Sequence, residues 1–280
     1  MLQILPPAMI DRGALMRIKD RFDLCDWVIP LIVLVLGAGC GVVRLWEPTR
    51  ARMPAEILTS AVQVVLEQQE GRRYRTASGV AIGAHRTPDG PQCFFLTSGH
   101  TFTDNVRGKD LFVIVGSHQA VGTKVPATLL AARDAGRQDL ALLKASTDQC
   151  VPARIRRPPH LGDFVWIAAF PWGRRLTLAR GIISQVDLDR PADPNQETRL
   201  MVDASVSYGS SGAGVFEERT GGLIGIVEGY STARVSFPGA SASSYIDVPV
   251  PGQTFVSPLT QVRRFLTEIG HDEFLPKAER

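Results

Sequence analysis

Residues 202–230 read VDASVSYGSSGAGVFEERTGGLIGIVEGY, and the parsing of this stretch decides the fold. A tight turn, Gly209-Ser210-Ser211-Gly212-Ala213-Gly214, is followed by a strand, a second turn and another strand. The glycines permit the φ values that expose a hydroxyl and aim backbone N–H groups at one point. Ser211 is therefore a candidate nucleophile. By itself the segment also reads as a flexible glycine-serine loop.

The texture continues outward in both directions. Short β-branched runs cut by glycine and proline recur at GVAIG (79–83), CFFLTS (93–98), LFVIVG (111–116), LALLKA (140–145), FVWIAAF (164–170) and LIGIVEGY (223–230). That spacing predicts an all-β barrel or sandwich rather than strands alternating with long helices. AEILTSAVQVVLEQQ, from 55, is expected to open as a short helix and continue as a strand. SPLTQVRRFLTEIG (257–270) predicts a late helix with Ser257 as N-cap and Gly270 as its stop; Leu259, Val262, Leu266 and Ile269 share one face. The proline- and arginine-rich segment from about 147 to 162 is the expected break between two halves, with a cleft between them.

Two further patterns flank that break on its N-terminal side. FFLTSGHTF delivers His100 just past the end of an apolar strand, and RQDLALLKA places Asp139 at the start of another. A lone histidine after a strand is usually structural, and an aspartate there commonly just turns the chain. Together, a buried Asp139 would fix the imidazole tautomer and leave His100 as a base.

With these flanks, the order His100, Asp139, Ser211 resembles the trypsin-like serine peptidases, and most nearly their bacterial HtrA/Deg branch. TSGHTF (97–102), DLALLKA (139–145), VDASVSYGSSGAG (202–214) and GDFVWIAAFPWGRRLTLARGIISQV (162–186) carry the resemblance, which spans about 62 to 270. It implies two six-stranded-type antiparallel β-barrels with the active site in the cleft between them, and a C-terminal helix lying against the barrel. It also implies a serine endopeptidase acting on protein or peptide substrates through an acyl-enzyme on Ser211. The backbone N–H groups of Gly209 and Ser211 would form the oxyanion hole. The edge at Glu228, Gly229 and Tyr230 would pair with substrate, and Ser205 would floor the primary pocket. An uncharged Ser205 favours small or medium apolar P1 residues.

The chain departs from the family where Ser210 stands in place of the frequent Asn or Asp and Ala213-Gly214 in place of Gly-Pro. No PDZ domain is expected after the peptidase domain, so regulation through one is not assumed; a homo-oligomer, including a trimer, remains compatible. The rival class is a catalytically silent protease-fold module that binds extended peptides.

Composition is consistent with a globular protein: 280 residues, 44% hydrophobic and 21% charged, with a net charge of +3. Arg154, Arg156 and Arg157, bracketed by Pro152, Pro158 and Pro159, form no aromatic-interleaved stripe, so no nucleic-acid partner is expected. The five histidines show no close pairing and the four cysteines no paired spacing, so neither a metal nor another cofactor is expected. Cys93 and Cys150 are the only candidate pair in the body of the chain, with two separate buried thiols the plainer reading.

The segment 27–46, WVIPLIVLVLGAGCGVVRLW, has the length and flanking tryptophans of a transmembrane helix. Gly37, Ala38 and Gly39 before Cys40 suggest a cleaved signal instead, but the preceding stretch of about 26 residues is too long and too acidic for one. The expected organisation is a cytoplasmic segment at 1–26, an anchor at 27–46, a linker at 47–55 and the peptidase domain at 56–280. The peptidase domain would lie outside the cytoplasm, in the periplasm if the source is a Gram-negative bacterium.

Overall fold

A computed structural model describes residues 55–276, apart from 69–70, 104–105, 107, 119–120, 136–137, 156–158, 187–198 and 237–244. The expected span at 27–46 lies outside the described residues. Among the described residues, no helix is long and apolar enough to cross a membrane.

Helix α1 (Ala55–Ser60) runs directly into β1 (Ala61–Glu67), as the sequence suggests. It is followed by β2 (Arg73–Thr87), β3 (Gly90–Ser98), β4 (Asp110–Val115), β5 (Thr123–Ala132) and β6 (Leu140–Ser146). These close into a barrel in the order β1-β2-β3-β6-β5-β4. After the irregular segment come β7 (Phe164–Ala169), β8 (Thr177–Gln185), β9 (Leu200–Val202), β10 (Gly214–Glu217), β11 (Leu223–Ser236) and β12 (Tyr245–Pro258). They close a second barrel in the order β10-β11-β12-β9-β8-β7. Every neighbouring pair is antiparallel. The expected break at 147–162 matches the gap between β6 and β7.

Strand alternation sorts the side chains into three cores. Phe95, Ala141 and Leu143 point into the first barrel with Val62, Val64 and Val113, while Ile167, Val202, Val215, Ile224 and Val256 fill the second. The other faces of β3 and β6, at Phe94, Leu96, Leu140 and Leu142, meet Phe170, Phe216, Leu223 and Ile226 in a seam between the barrels. Both faces of these strands are buried, which is why FFL and LALL read as unbroken apolar runs rather than alternating ones.

Helix α2 (Leu259–Glu268) closes one side of this seam with Leu259, Val262, Phe265 and Leu266. Its N-cap position is Pro258, without a side-chain cap, which corrects the assignment of Ser257. That hydroxyl is buried at the end of β12 and bonds elsewhere. Gly270 does end the helix, with φ +76°. Cys93 and Cys150 form a disulfide across a Cα–Cα distance of 6.4 Å, which corrects the reading of two free thiols. It ties β3 to the start of the inter-barrel segment.

Candidate active site

The first barrel supplies an imidazole and a carboxylate. Beyond β3 the chain enters a 3₁₀ turn, Gly99–Phe102, where Arg75 donates to the carbonyls of His100 (3.1 Å) and Thr101 (3.0 Å). A Cβ on Gly99 would run into the carbonyl of Arg133, so only glycine lets the turn lie against the loop leading to β6. In that loop Asp139 has φ +45°, an uncommon value for a residue with a side chain. Its amide is held by Asp134 O at 2.9 Å.

This backbone aims the Asp139 carboxylate back at the turn. Oδ1 accepts the His100 amide at 2.7 Å and Oδ2 the ring Nδ1 at 2.8 Å. In the neutral imidazole, donation from Nδ1 to this carboxylate puts the ring's lone pair at Nε2. The Asp139 side chain is 5% exposed and that of His100 41%, so the acid is buried and the imidazole reaches the cleft.

The second barrel supplies main-chain groups and a hydroxyl. Gly209 and Gly212 have φ of +85° and +84°. A Cβ on Gly212 would collide with Ser78 O and Thr97 Oγ1 and would lie 2.8 Å from Ser98 N. The turn carrying Ser211 is thereby seated against the strand end that delivers His100. Ser78 N donates to Ser211 O at 2.9 Å. The Ser78 hydroxyl donates to Gly209 O (2.7 Å) and accepts the Phe170 amide (2.8 Å). In the sequence Ser78 gives no sign of this role, since a serine inside a strand carries no local signal of it.

Within residues 209–213, two main-chain donors stand open. The amides of Ser210, Gly212 and Ala213 donate to Ser207 O, Val227 O and Ser210 O. Those of Gly209 and Ser211 have no acceptor among the described residues. The carbonyl of Tyr208 accepts the Trp172 amide at 2.6 Å. In a trans peptide the N–H points opposite to the C=O, so this bond fixes the direction of the Gly209 N–H. Trp172 packs against Tyr208 with the rings tilted at 55° and 5.1 Å between centroids, and Tyr208 meets Tyr230 edge-on at 5.9 Å.

The sequence matches the trypsin-like peptidase domain over residues 77–226. The chain belongs to this family. The matched region holds His100, Asp139 and Ser211, and ends just before Glu228. Among solved structures, the trypsin-like fold aligns with the serine endoprotease from Yersinia pestis at 23% identity and TM-score 0.54, covering 78% of this chain and 65% of that one. It also aligns with the HtrA-type protease AlgW with tripeptide, at 19% identity and TM-score 0.57 over 78% of this chain and 62% of that one. A variant of AlgW with tripeptide aligns at 18% identity and TM-score 0.57, over 77% and 62%. The trypsin-like chain thus spans less than two thirds of the length of these neighbours. No curated protein matches the sequence.

The remaining expected residues divide between exposed positions and the interior. Ser205 is exposed between β9 and the Ser211 turn. The ladder between β10 and β11 ends at Ile226, so Gly229 and Tyr230 pair only with Phe255 and Thr254 of β12 among the described residues. Burial, followed by the charge and hydrogen bond of Tyr208, raises the Tyr230 phenol. The Glu228 side chain turns away from this edge into the protein. Glu228 is 9% exposed, accepts from Ser257 Oγ at 2.7 Å and meets Arg199 Nε at 2.9 Å.

Proposed function

We propose that the chain is a serine endopeptidase, with Ser211 as nucleophile, His100 as general base and Asp139 as the group that orients the imidazole. The observation that carries this reading is the seating of the Ser211 turn, through Gly212, against the strand end bearing an imidazole whose Nδ1 is bonded to a buried carboxylate.

His100 Nε2 takes the Ser211 proton as Oγ attacks a peptide carbonyl. The same proton is then delivered to the leaving amine, and the acyl-enzyme is hydrolysed by water activated in the same way. The amides of Gly209 and Ser211 receive the developing oxyanion, each contributing on the order of 3 kcal/mol to the transition state. The open edge of β11 at Gly229 and Tyr230 adds an extended substrate as a strand. Ser205 lines an uncharged P1 site that takes small or medium apolar side chains. Segment 27–46 anchors the domain outside the cytoplasm.

The test is reaction of the full-length protein with a fluorophosphonate probe, alongside cleavage of a labelled casein. Wild type is expected to be labelled and to cut, and Ser211→Ala to do neither, with a loss on the order of 10⁵-fold or more in turnover. Equal behaviour of the two proteins would reduce the chain to a peptide-binding module.

A further inference from the structure

A second carboxylate stands behind the Asp139–His100 pair. β11 carries a bulge in which Val227 pairs with Val256 and Gly229 with Phe255, leaving Glu228 as the extra residue. A bulge re-aims a side chain, and here it sends Glu228 inward. Its Oε1 meets the hydroxyl of Ser257, which also lies 3.2 Å from the carbonyl of Gln138, the residue before Asp139. Ser257 is completely buried. Four segments distant in sequence meet at this point: the loop before β6, the bulge of β11, the end of β12, and Arg199 at the entrance to β9.

A hydroxyl has one proton. When Glu228 is ionised, Ser257 can donate to the carboxylate or to Gln138 O, but not to both. When Glu228 is neutral, its own O–H donates to Ser257 Oγ, freeing the Ser257 proton for Gln138 O, and both bonds form at once. The protonation state of Glu228 therefore decides how firmly the loop carrying Asp139 is held and how much negative charge lies behind the imidazole.

We propose that Glu228 is a positioning residue for the Asp139–His100 pair: neutral, it braces the Gln138–Asp139 backbone through Ser257, and ionised, its charge favours the imidazolium formed as Ser211 attacks. This inference rests on the endopeptidase reading of the same site. The charged groups facing Glu228 are Arg199, Asp139 and His100. Burial pushes the Glu228 carboxyl upward, against the Ser257 hydrogen bond and the Arg199 charge, so the switch between its two states lies above the ordinary carboxylate range.

The experiment is a pH profile of kcat/KM on a chromogenic peptide for wild type, Glu228→Gln and Arg199→Met, with the active fraction counted by fluorophosphonate labelling and folding checked by circular dichroism. Glutamine copies neutral Glu228, since its amide can donate to Ser257 Oγ while Ser257 serves Gln138 O. Glu228→Gln is therefore expected to fold, and to move the acid limb to lower pH by on the order of half a unit, because the negative charge favouring the imidazolium is gone. Arg199→Met favours the neutral acid and is expected to shift the limb in the same direction. Limbs identical to wild type in both folded variants would overturn the proposal, as would a limb that moves to higher pH. If Glu228→Gln fails to fold, Arg199→Met alone decides by the same criterion. A wild-type protein that is neither labelled nor active would fail the endopeptidase reading itself, an outcome that no variant profile could mimic.

Discussion

The two walls of the cleft are built by different means. On the first-barrel wall, side chains do the positioning: a buried aspartate grips both the amide and the ring of His100, with Ser257 and Glu228 behind it. On the second-barrel wall the main chain does it, through two glycines at positive φ, two amide donors left open and a peptide fixed by Trp172. A wall of side chains responds to protonation and to single-atom substitution. A wall of main chain responds mainly to anything that lets the turn shift.

The largest effect that would test this division is Asp139→Asn. An amide at this position offers Nδ1 an ambiguous partner and admits the wrong tautomer, so kcat is expected to fall on the order of 10⁴-fold. The main-chain wall should survive, leaving measurable turnover above the uncatalysed rate, read by long-time-course hydrolysis after active-site titration. A loss below about tenfold would mean that the carboxylate wall does not position the imidazole and that the comparison misassigns it.

Ser78→Ala probes the other wall. Removing the hydroxyl leaves the buried Phe170 amide without its acceptor and frees the Gly209 carbonyl. The expected cost is about 1–3 kcal/mol in unfolding free energy by urea denaturation, with kcat lowered roughly 10- to 100-fold because one oxyanion donor is less well aimed. KM for a short peptide should change little, since the proposed substrate-pairing edge lies on β11, away from Ser78. A fall in stability without a fall in kcat would show that the turn is held independently of β2.

How much of this could be read in the sequence follows the same division. The Ser211 turn was legible because its geometry demands glycine at 209 and 212, and that demand is written locally. His100 and Asp139 were legible as the ends of two apolar runs buried on both faces. β5 and β12 were harder to see: Pro126, Pro249, Pro251 and Pro258 interrupt their patterns, and proline in a run argues against a strand unless an edge or bulge accommodates it. Ser78 and Arg199 carry no local signature at all, and the local signature of Ser257 is that of a helix cap, because each matters through a partner more than 25 residues away. In the sequence Glu228 reads as part of a substrate-pairing edge; the bulge, with the buried bonds to Ser257 and Arg199, turns its carboxylate the opposite way.

The smallest effect concerns stability rather than rate. The folded protein raises the Glu228 carboxyl above its ordinary value of 4.5, so the fold favours the protonated form. The stability this contributes is complete below the ordinary value and is lost as pH rises through the raised one. Glu228→Gln cannot ionise and escapes that loss, at the cost of the ion pair to the partly exposed Arg199. The difference in Tm, variant minus wild type, is therefore expected to grow between pH 4 and pH 8, by about 2–4 °C for each kcal/mol in a domain of this size. A difference that shrinks over the same interval would mean that the Arg199 attraction outweighs burial. The first wall would then hold Glu228 as an ordinary ion pair, and its protonation could no longer serve as the device that distinguishes the side-chain wall from the main-chain wall.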